Sequence, residues 1–162
     1  MQGRTSFVRP SFYLCTIKKI FMYMKKSILF PFLIDIQLCL SGEVHELPSS
    51  TNWMKLWKYI TLELKQSSIW FIPYTNGKIV ARLMQKRWSK VDIERIIKGD
   101  YVFYDLNDFD MDSIMKTIYF DLEKHKKDWL IIKCDSYFVE KNREQLQRIA
   151  NVLNTRVILI CK

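Results

Sequence analysis

The chain contains one almost continuous apolar run, Trp129-Leu130-Ile131-Ile132-Lys133-Cys134, in which Lys133 is the one charged residue. A second apolar run spans Arg156–Cys161. Between the two runs, apolar residues recur at helical spacing over residues 142–154, which predicts a helix. Strands that are apolar along their whole length are typical of parallel sheets covered by helices on both faces. The end of the chain therefore predicts an α/β fold.

The same alternation of strands and helices extends toward the amino terminus. Further strands are predicted over residues 28–40, 69–74 and 101–106. Further helices are predicted to begin after the N-cap residues Asn52 and Asp110, and a short helix is predicted over residues 91–98. Residues 41–51 are predicted to form a polar loop. Because parallel strands need long, right-handed crossovers, this order predicts a three-layer sandwich with a mostly parallel sheet.

The segment after residue 74 allows two structures. Asn76-Gly77 between apolar runs is a strong hairpin signal, so residues 78–84 fit a returning strand. The apolar residues of this segment, together with Trp88, also fit one face of a helix, with Gly77 closing the preceding turn. We favour the helix, and the hairpin remains the alternative.

Length and charge predict one domain with a basic extension. At 162 residues the chain is long enough for one domain of ordinary size. Of its net charge of +9, residues 1–26 contribute six basic residues and no acidic ones, and the other 136 residues carry 20 basic and 17 acidic residues. We expect residues 1–23 to form a basic N-terminal arm, disordered or an upstream extension, and residues 24–162 to form a single α/β domain.

The chain has four widely spaced cysteines, namely Cys15, Cys39, Cys134 and Cys161. None belongs to a close pair of the kind that zinc sites use, so we expect free thiols and no metal site. Residues 24–40 resemble a secretory signal, but Pro31 and Asp35 interrupt the apolar run, which is also too short to span a bilayer. We therefore expect an intracellular protein of the cytoplasm or nucleus, without a membrane partner.

Three segments near the end of the chain occur in a recognisable order. They are an apolar strand ending in Asp135-Ser136, a helical segment over residues 145–150 and a strand over residues 156–160. This order resembles the second nucleotide-binding half of RecA-like ATPases, a superfamily that includes RadA, DnaB-type helicases and the eukaryotic recombinase paralogues. The resemblance implies a RecA-like sheet in which Asp135 and Ser136 occupy the Walker B position. Residues 101–115 resemble the strand and helix that precede Walker B in those proteins.

The phosphate loop of that superfamily is missing from this sequence. A Walker A loop needs glycines whose backbone N–H groups approach the phosphates, a lysine, and a Ser or Thr that binds magnesium. The corresponding residues 41–52 contain one glycine, two carboxylates and no lysine, and Gly77-Lys78 lacks the flanking pattern. We therefore expect no cofactor and no ATPase activity. Without phosphates to hold magnesium, Asp135 has a simpler alternative role as the cap of the turn after its strand.

No other catalytic constellation is predicted. His125 lies in a Lys-His-Lys-Lys segment, which is typical of the solvated end of a helix. His45 lies in the predicted polar loop, and the sequence places no Ser or Cys nucleophile beside it. We therefore predict that the protein is not an enzyme.

The best candidate for a nucleic-acid contact is a basic cluster around one tryptophan. Its members are Arg82, Lys86, Arg87, Trp88 and Lys90. Basic residues interleaved with an aromatic ring are typical of surfaces that bind single-stranded nucleic acid, because cations contact phosphates and the ring stacks on bases. The alternative interpretation is the solvated face of an amphipathic helix whose Trp88 lies partly in the core.

These observations favour a non-catalytic RecA-like accessory protein that assists DNA recombination, repair or replication. It would act through a protein partner, as a hetero-oligomer with an active or related paralogue, and through single-stranded DNA. The alternative is a small inhibitor or immunity-type binding module. The helix region of barstar-type ribonuclease inhibitors is faintly resembled by Leu47-Pro48, Asn52, Leu56 and Trp57. A basic chain is, however, poorly matched to a basic ribonuclease. An active enzyme is the third hypothesis.

Overall fold

A computed structural model describes residues 39–73, 82, 85–86 and 88–161 of the chain. The chain divides into two units, Met1–Leu38 and Cys39–Lys162, and all described residues belong to the second. The predicted basic arm and most of the predicted first strand therefore lie outside the described residues. The same holds for the choice between helix and hairpin after Gly77, because only Arg82 is described between residues 74 and 84.

The described residues form an α/β fold around one sheet of five parallel strands. The strands are β1 (Val44–Pro48), β2 (Ser68–Ile72), β3 (Tyr101–Asp105), β4 (Trp129–Cys134) and β5 (Arg156–Cys161). Their order across the sheet is β1-β5-β4-β2-β3, and every neighbouring pair is parallel. The α/β class and the parallel sheet predicted from the sequence are confirmed, and β4 and β5 have the predicted bounds.

The structure gives the bounds of four α-helices within its described residues. They are α1 (Trp53–Lys58), which continues as a π-helix over Tyr59–Leu64, α2 (Lys90–Ile97), α3 (Met111–Lys124) and α4 (Ser136–Leu153). A short 3-10 helix, Leu106–Asp108, follows β3. Asn52 and Asp110 are N-caps as predicted, because their side chains accept hydrogen bonds from the backbone N–H groups of Lys55 and Ser113.

Two predicted boundaries are wrong. The predicted polar loop over residues 41–51 contains strand β1, with the sequence Val-His-Glu-Leu-Pro. This strand lies at the edge of the sheet. An edge strand pairs on one side only, so it tolerates polar residues that a central strand would exclude. Helix α4 begins at Ser136 rather than near residue 142, because Asp135 caps it and its first turns bury Phe138 and Val139.

Both faces of the sheet are covered, as expected for a three-layer sandwich. On one face, Leu130 and Ile132 of β4 join an apolar cluster with Ile118 of α3 and Leu146 of α4. The alternating residues of a strand point to the opposite face. On that face the aromatic rings of the α1 region meet the sheet, with the ring centroids of Trp57 and Phe103 4.9 Å apart.

Candidate functional site

All five strands end at the same edge of the sheet, because they are parallel. The chain runs from β2 to its neighbour β3 and from β4 to its neighbour β5, which are opposite directions across the sheet. In open α/β sheets, ligands bind beyond the carboxyl ends of strands where such a reversal occurs. The carboxyl edge near β4 is therefore the expected position of a ligand site.

A cleft of about 520 Å³ lies at this edge, and we call it the basic cleft. Its walls are Ser49, Ser50, Thr51, Asn52, Trp53, Met54, Arg82, Gln85, Lys86 and Lys133. Three of these side chains are cationic, and no acidic side chain of the described residues lines the cleft. The lining is therefore suited to an anionic ligand.

Lys133 is the member of the basic cleft that comes from the sheet itself. It lies opposite Ile160 in the register of β4 and β5, one residue before the end of β4. A lysine in a central strand is unusual, because both faces of such a strand are covered. Lys133 is half-buried near the end of β4 and lines the cleft. Among the described residues, no side chain forms an ion pair with Lys133.

The loop from β1 to α1 supplies hydroxyl groups to the basic cleft. The backbone N–H of Thr51 donates to the carbonyl oxygen of Pro48 at 2.9 Å, which closes a tight turn. Thr51 is 3% exposed, and its Oγ1 has no hydrogen-bond partner among the described residues. The side-chain oxygen of Asn52 accepts from the Lys55 N–H at 3.2 Å, so the cap occupies that oxygen.

The structure brings together part of the predicted basic cluster. Arg82 and Lys86 line the basic cleft. Lys90 begins α2 and is exposed but does not line the cleft, and Arg87 lies outside the described residues.

Trp88 is half-buried and lies outside the basic cleft. Its ring centroid is 6.1 Å from that of Trp57, and the Lys58 Nζ lies 5.0 Å from the Trp88 centroid. Lys58 also forms an ion pair with Asp92 of α2 at 2.6 Å. The aromatic residue that lines the basic cleft is Trp53, which the sequence did not single out as a site residue.

A second cleft, the central cleft, lies where the direction of the connections reverses. It has a volume of about 670 Å³, and its walls include Pro73, Asn107, Lys133, Cys134 and Asp135. Asp135 Oδ1 accepts a hydrogen bond from the Phe138 N–H at 2.8 Å, so this carboxylate caps α4. Ser136 is the first residue of α4. Asp135 and Ser136 are the two residues for which the sequence predicted a Walker B role.

The remaining titratable groups do not assemble a catalytic centre within the described part of the chain. Burial raises the pKa of the Cys134 thiol to about 12, with smaller contributions from Cys161 and Asp135. The Nε2 atom of His45 lies 3.1 Å from Glu43 Oε2, and His125 is the exposed C-cap of α3. No group of three or more metal-binding side chains occurs among the described residues.

The connection between β1 and α1 differs from a phosphate loop. It consists of residues 49–52, which contain neither glycine nor lysine. A Walker A motif needs both, and it is longer than this loop. The described structure therefore offers no Walker A phosphate loop between β1 and α1.

No known protein family matches this chain, and no curated protein matches it. Within the described ranges, no helix is long and apolar enough to cross a membrane. The site residues that the sequence did not single out are Ser49, Thr51, Trp53 and Lys133. Of these, only Lys133 carried a signal, because it is the one charged residue in the apolar run of β4.

Proposed function

We propose that this protein is a non-catalytic accessory factor of RecA-like ancestry in DNA recombination, repair or replication. It binds single-stranded DNA at the basic cleft and contributes a binding surface to an active partner protein. The observation that carries the proposal is the lining of the basic cleft, where Arg82, Lys86 and Lys133 converge and no acidic side chain of the described residues intervenes.

The charge of the cleft favours a phosphate backbone. Cations that contact phosphates release condensed counterions, which supplies most of the sequence-independent affinity for nucleic acids. A carboxylate among these cations would repel an anionic ligand, and the described lining contains no carboxylate. Arg82 and Lys86 precede α2 in the chain and Lys133 belongs to β4, so a DNA strand in the cleft contacts cations from two parts of the fold.

Single strands are preferred over duplexes because Trp53 lines the basic cleft. Aromatic rings stack on unpaired bases with little sequence preference. The Trp53 ring packs against the rings of Trp70 and Phe103, at centroid distances of 6.5 and 6.1 Å. A ring that is already positioned loses little conformational freedom when a base stacks on it. Trp88, whose ring lies near Trp57 and Lys58, has the lesser role.

We propose an active partner protein because this sequence lacks the phosphate loop that nucleotide turnover needs. A subunit that lacks nucleotide turnover contributes by binding, and the active paralogue supplies the chemistry. The proposal of a RecA-like partner is supported by the resemblance of residues 128–160 to RecA-like ATPases. It is also supported by the parallel sheet that contains the two strands of this segment. The fold alone does not specify a function, so the DNA site is the part to test first.

The test measures fluorescence anisotropy of a labelled oligothymidine with the full chain at several salt concentrations. The double variant Arg82→Gln/Lys86→Gln should bind more weakly, and its salt slope should fall by about 0.7 for each phosphate that is no longer neutralised. The matched control is Lys116→Gln/Lys126→Gln, which removes the same charge at exposed positions outside the cleft. Equal weakening in both double variants would contradict a specific site.

The basic residues near the amino terminus are the rival candidate for a DNA-binding element. Replacing Arg4, Arg9, Lys18 and Lys19 by Gln in the full chain tests them without altering the basic cleft. If that variant loses binding while Arg82→Gln/Lys86→Gln keeps it, the basic cleft is not the DNA site.

A further inference from the structure

We infer that the basic cleft contains a phosphate subsite formed by the side chains of Thr51, Ser49 and Lys133. The ligand is a phosphate group held by side-chain hydroxyls and one ammonium group. This inference rests on the proposed function only for the source of the phosphate, which is the backbone of single-stranded DNA. The same chemistry would also hold the phosphate of a small free compound.

Thr51 provides the first observation. Its side chain is buried at the wall of the cleft, and its hydroxyl has no hydrogen-bond partner among the described residues. A buried hydroxyl without a partner is destabilising, so such groups call for an explanation. Because this hydroxyl makes no hydrogen bond within the described residues, rotation about χ1 of Thr51 does not break one. The hydroxyl is therefore available to turn toward a phosphate oxygen in the cleft and donate to it.

Lys133 provides the second, independent observation. It is the one charged residue of β4, and its neighbour in register on β5 is Ile160. No described carboxylate pairs with its ammonium group. An anion in the cleft would give this ammonium group a counter-ion.

The hydroxyl groups of this subsite come from the loop between β1 and α1. The Thr51 N–H is used by the carbonyl oxygen of Pro48, and the Asn52 side-chain oxygen is used by the Lys55 N–H. The side-chain hydroxyl donors on this side of the cleft include those of Thr51 and the exposed Ser49. Single substitutions of these side chains can therefore test the subsite.

The experiment uses the full chain and two substitutions, Thr51→Val and Lys133→Gln. Thr51→Val keeps the shape of the side chain and replaces an unsatisfied buried hydroxyl by a methyl group. It should leave thermal stability equal or higher, because it removes no hydrogen bond within the described residues. It should nevertheless weaken oligothymidine binding by roughly tenfold, which is the usual effect of removing one hydrogen bond to a charged group.

Lys133→Gln should weaken the same binding and lower the salt slope by about 0.7, as expected for one phosphate contact on a single strand. Lys133→Arg should retain the slope because it retains the charge. The matched control is Lys116→Gln, whose side chain is exposed on α3 and does not line the cleft. A second probe, inorganic pyrophosphate, is titrated against the same variants by calorimetry.

The outcomes separate this inference from the proposed function. If the oligonucleotide binds and both variants bind it like the wild type, the phosphate subsite is wrong while the DNA-binding proposal stands. If the oligonucleotide does not bind but pyrophosphate does, and Lys133→Gln abolishes that binding, the subsite is correct and its ligand is a free phosphate compound. If neither probe binds the wild type, both proposals are wrong.

Discussion

Asp128 and Ser67 bind each other through both side chains, just before strands β4 and β2. The Asp128 Oδ2 atom accepts hydrogen bonds from the Ser67 N–H at 2.9 Å and from its Oγ at 2.8 Å. The Asp128 N–H donates to the same Ser67 Oγ at 3.0 Å. This pair aligns the amino ends of two neighbouring central strands, opposite the edge that carries the basic cleft.

Replacing Asp128 by Ala should lower the free energy of unfolding by about 1.5–3 kcal/mol, because the partly buried Ser67 N–H loses a charged acceptor. Urea unfolding followed by circular dichroism measures this change. Glu144→Ala, at an exposed position of α4, is the control and should stay within about 0.5 kcal/mol of the wild type. An Asp128→Ala midpoint equal to that of the control would show that the pair is not structurally important.

Leu146→Ala should destabilise the protein by about 2–5 kcal/mol, the usual range for truncating a packed core leucine. Leu146 is fully buried in the apolar cluster between the sheet, α3 and α4. The adjacent Gln145 is exposed on the same helix, so Gln145→Ala separates packing from helix propensity. Thermal unfolding of the two variants measures the difference, and equal melting temperatures would place α4 in the wrong register.

The ion pair between Lys58 and Asp92 should make stability depend on pH in the acid range. The hydrogen bond and charge of Lys58 hold the pKa of Asp92 below its ordinary value of 3.8. A lowered carboxyl pKa contributes stability that is present above the unfolded-state pKa and is lost as pH falls through the folded-state pKa. Because the pair is partly exposed, we expect the contribution to stay below about 1 kcal/mol.

The measurement compares urea unfolding of the wild type and Asp92→Asn at neutral pH and at about pH 3. The wild type should be the more stable protein at neutral pH, and the gap should close as Asp92 is protonated. A gap that is unchanged at the lower pH would contradict the assignment.

Cys134 should resist alkylation in the folded protein. Burial raises the pKa of its thiol to about 12, so the reactive thiolate is scarce at about pH 8. Iodoacetamide labelling followed by peptide mass spectrometry should show Cys134 unmodified in the native protein and modified in urea. Cys161 lies opposite Cys134 in the register of β4 and β5, so Cys161→Ser tests whether that neighbour contributes to the protection. Rapid native labelling of Cys134 would mean that the end of β4 opens.

Substitutions at Asp135 can distinguish a helix cap from a magnesium ligand. Asn is as good an N-cap as Asp, whereas Ala is not, so Asp135→Asn should keep stability and Asp135→Ala should lose about 1 kcal/mol. Neither variant should change calorimetric titrations with magnesium and ATP, because without a Walker A loop we expect no magnesium-dependent nucleotide binding at Asp135. Saturable binding that disappears in Asp135→Asn would restore the Walker B role.

Features that depend on local sequence were predictable. The bounds of β4 and β5 follow from their apolar runs, and the caps Asn52 and Asp110 follow from short side chains ahead of helical periodicity. Strand β1 was missed because its polar residues are tolerated at an edge, and an edge position is a property of the whole sheet.

The alternation of strands and helices, and with it the α/β class, was set by the periodicity of the sequence alone. The basic cleft depended on tertiary structure, because β1 and β4 both border β5 and thereby bring Thr51 and Lys133 to one edge. Periodicity reports which side of an element is buried, a local property. Which strands become neighbours depends on the packing of distant residues, so the grouping of hydroxyls and cations at that edge was decided only by the folded chain.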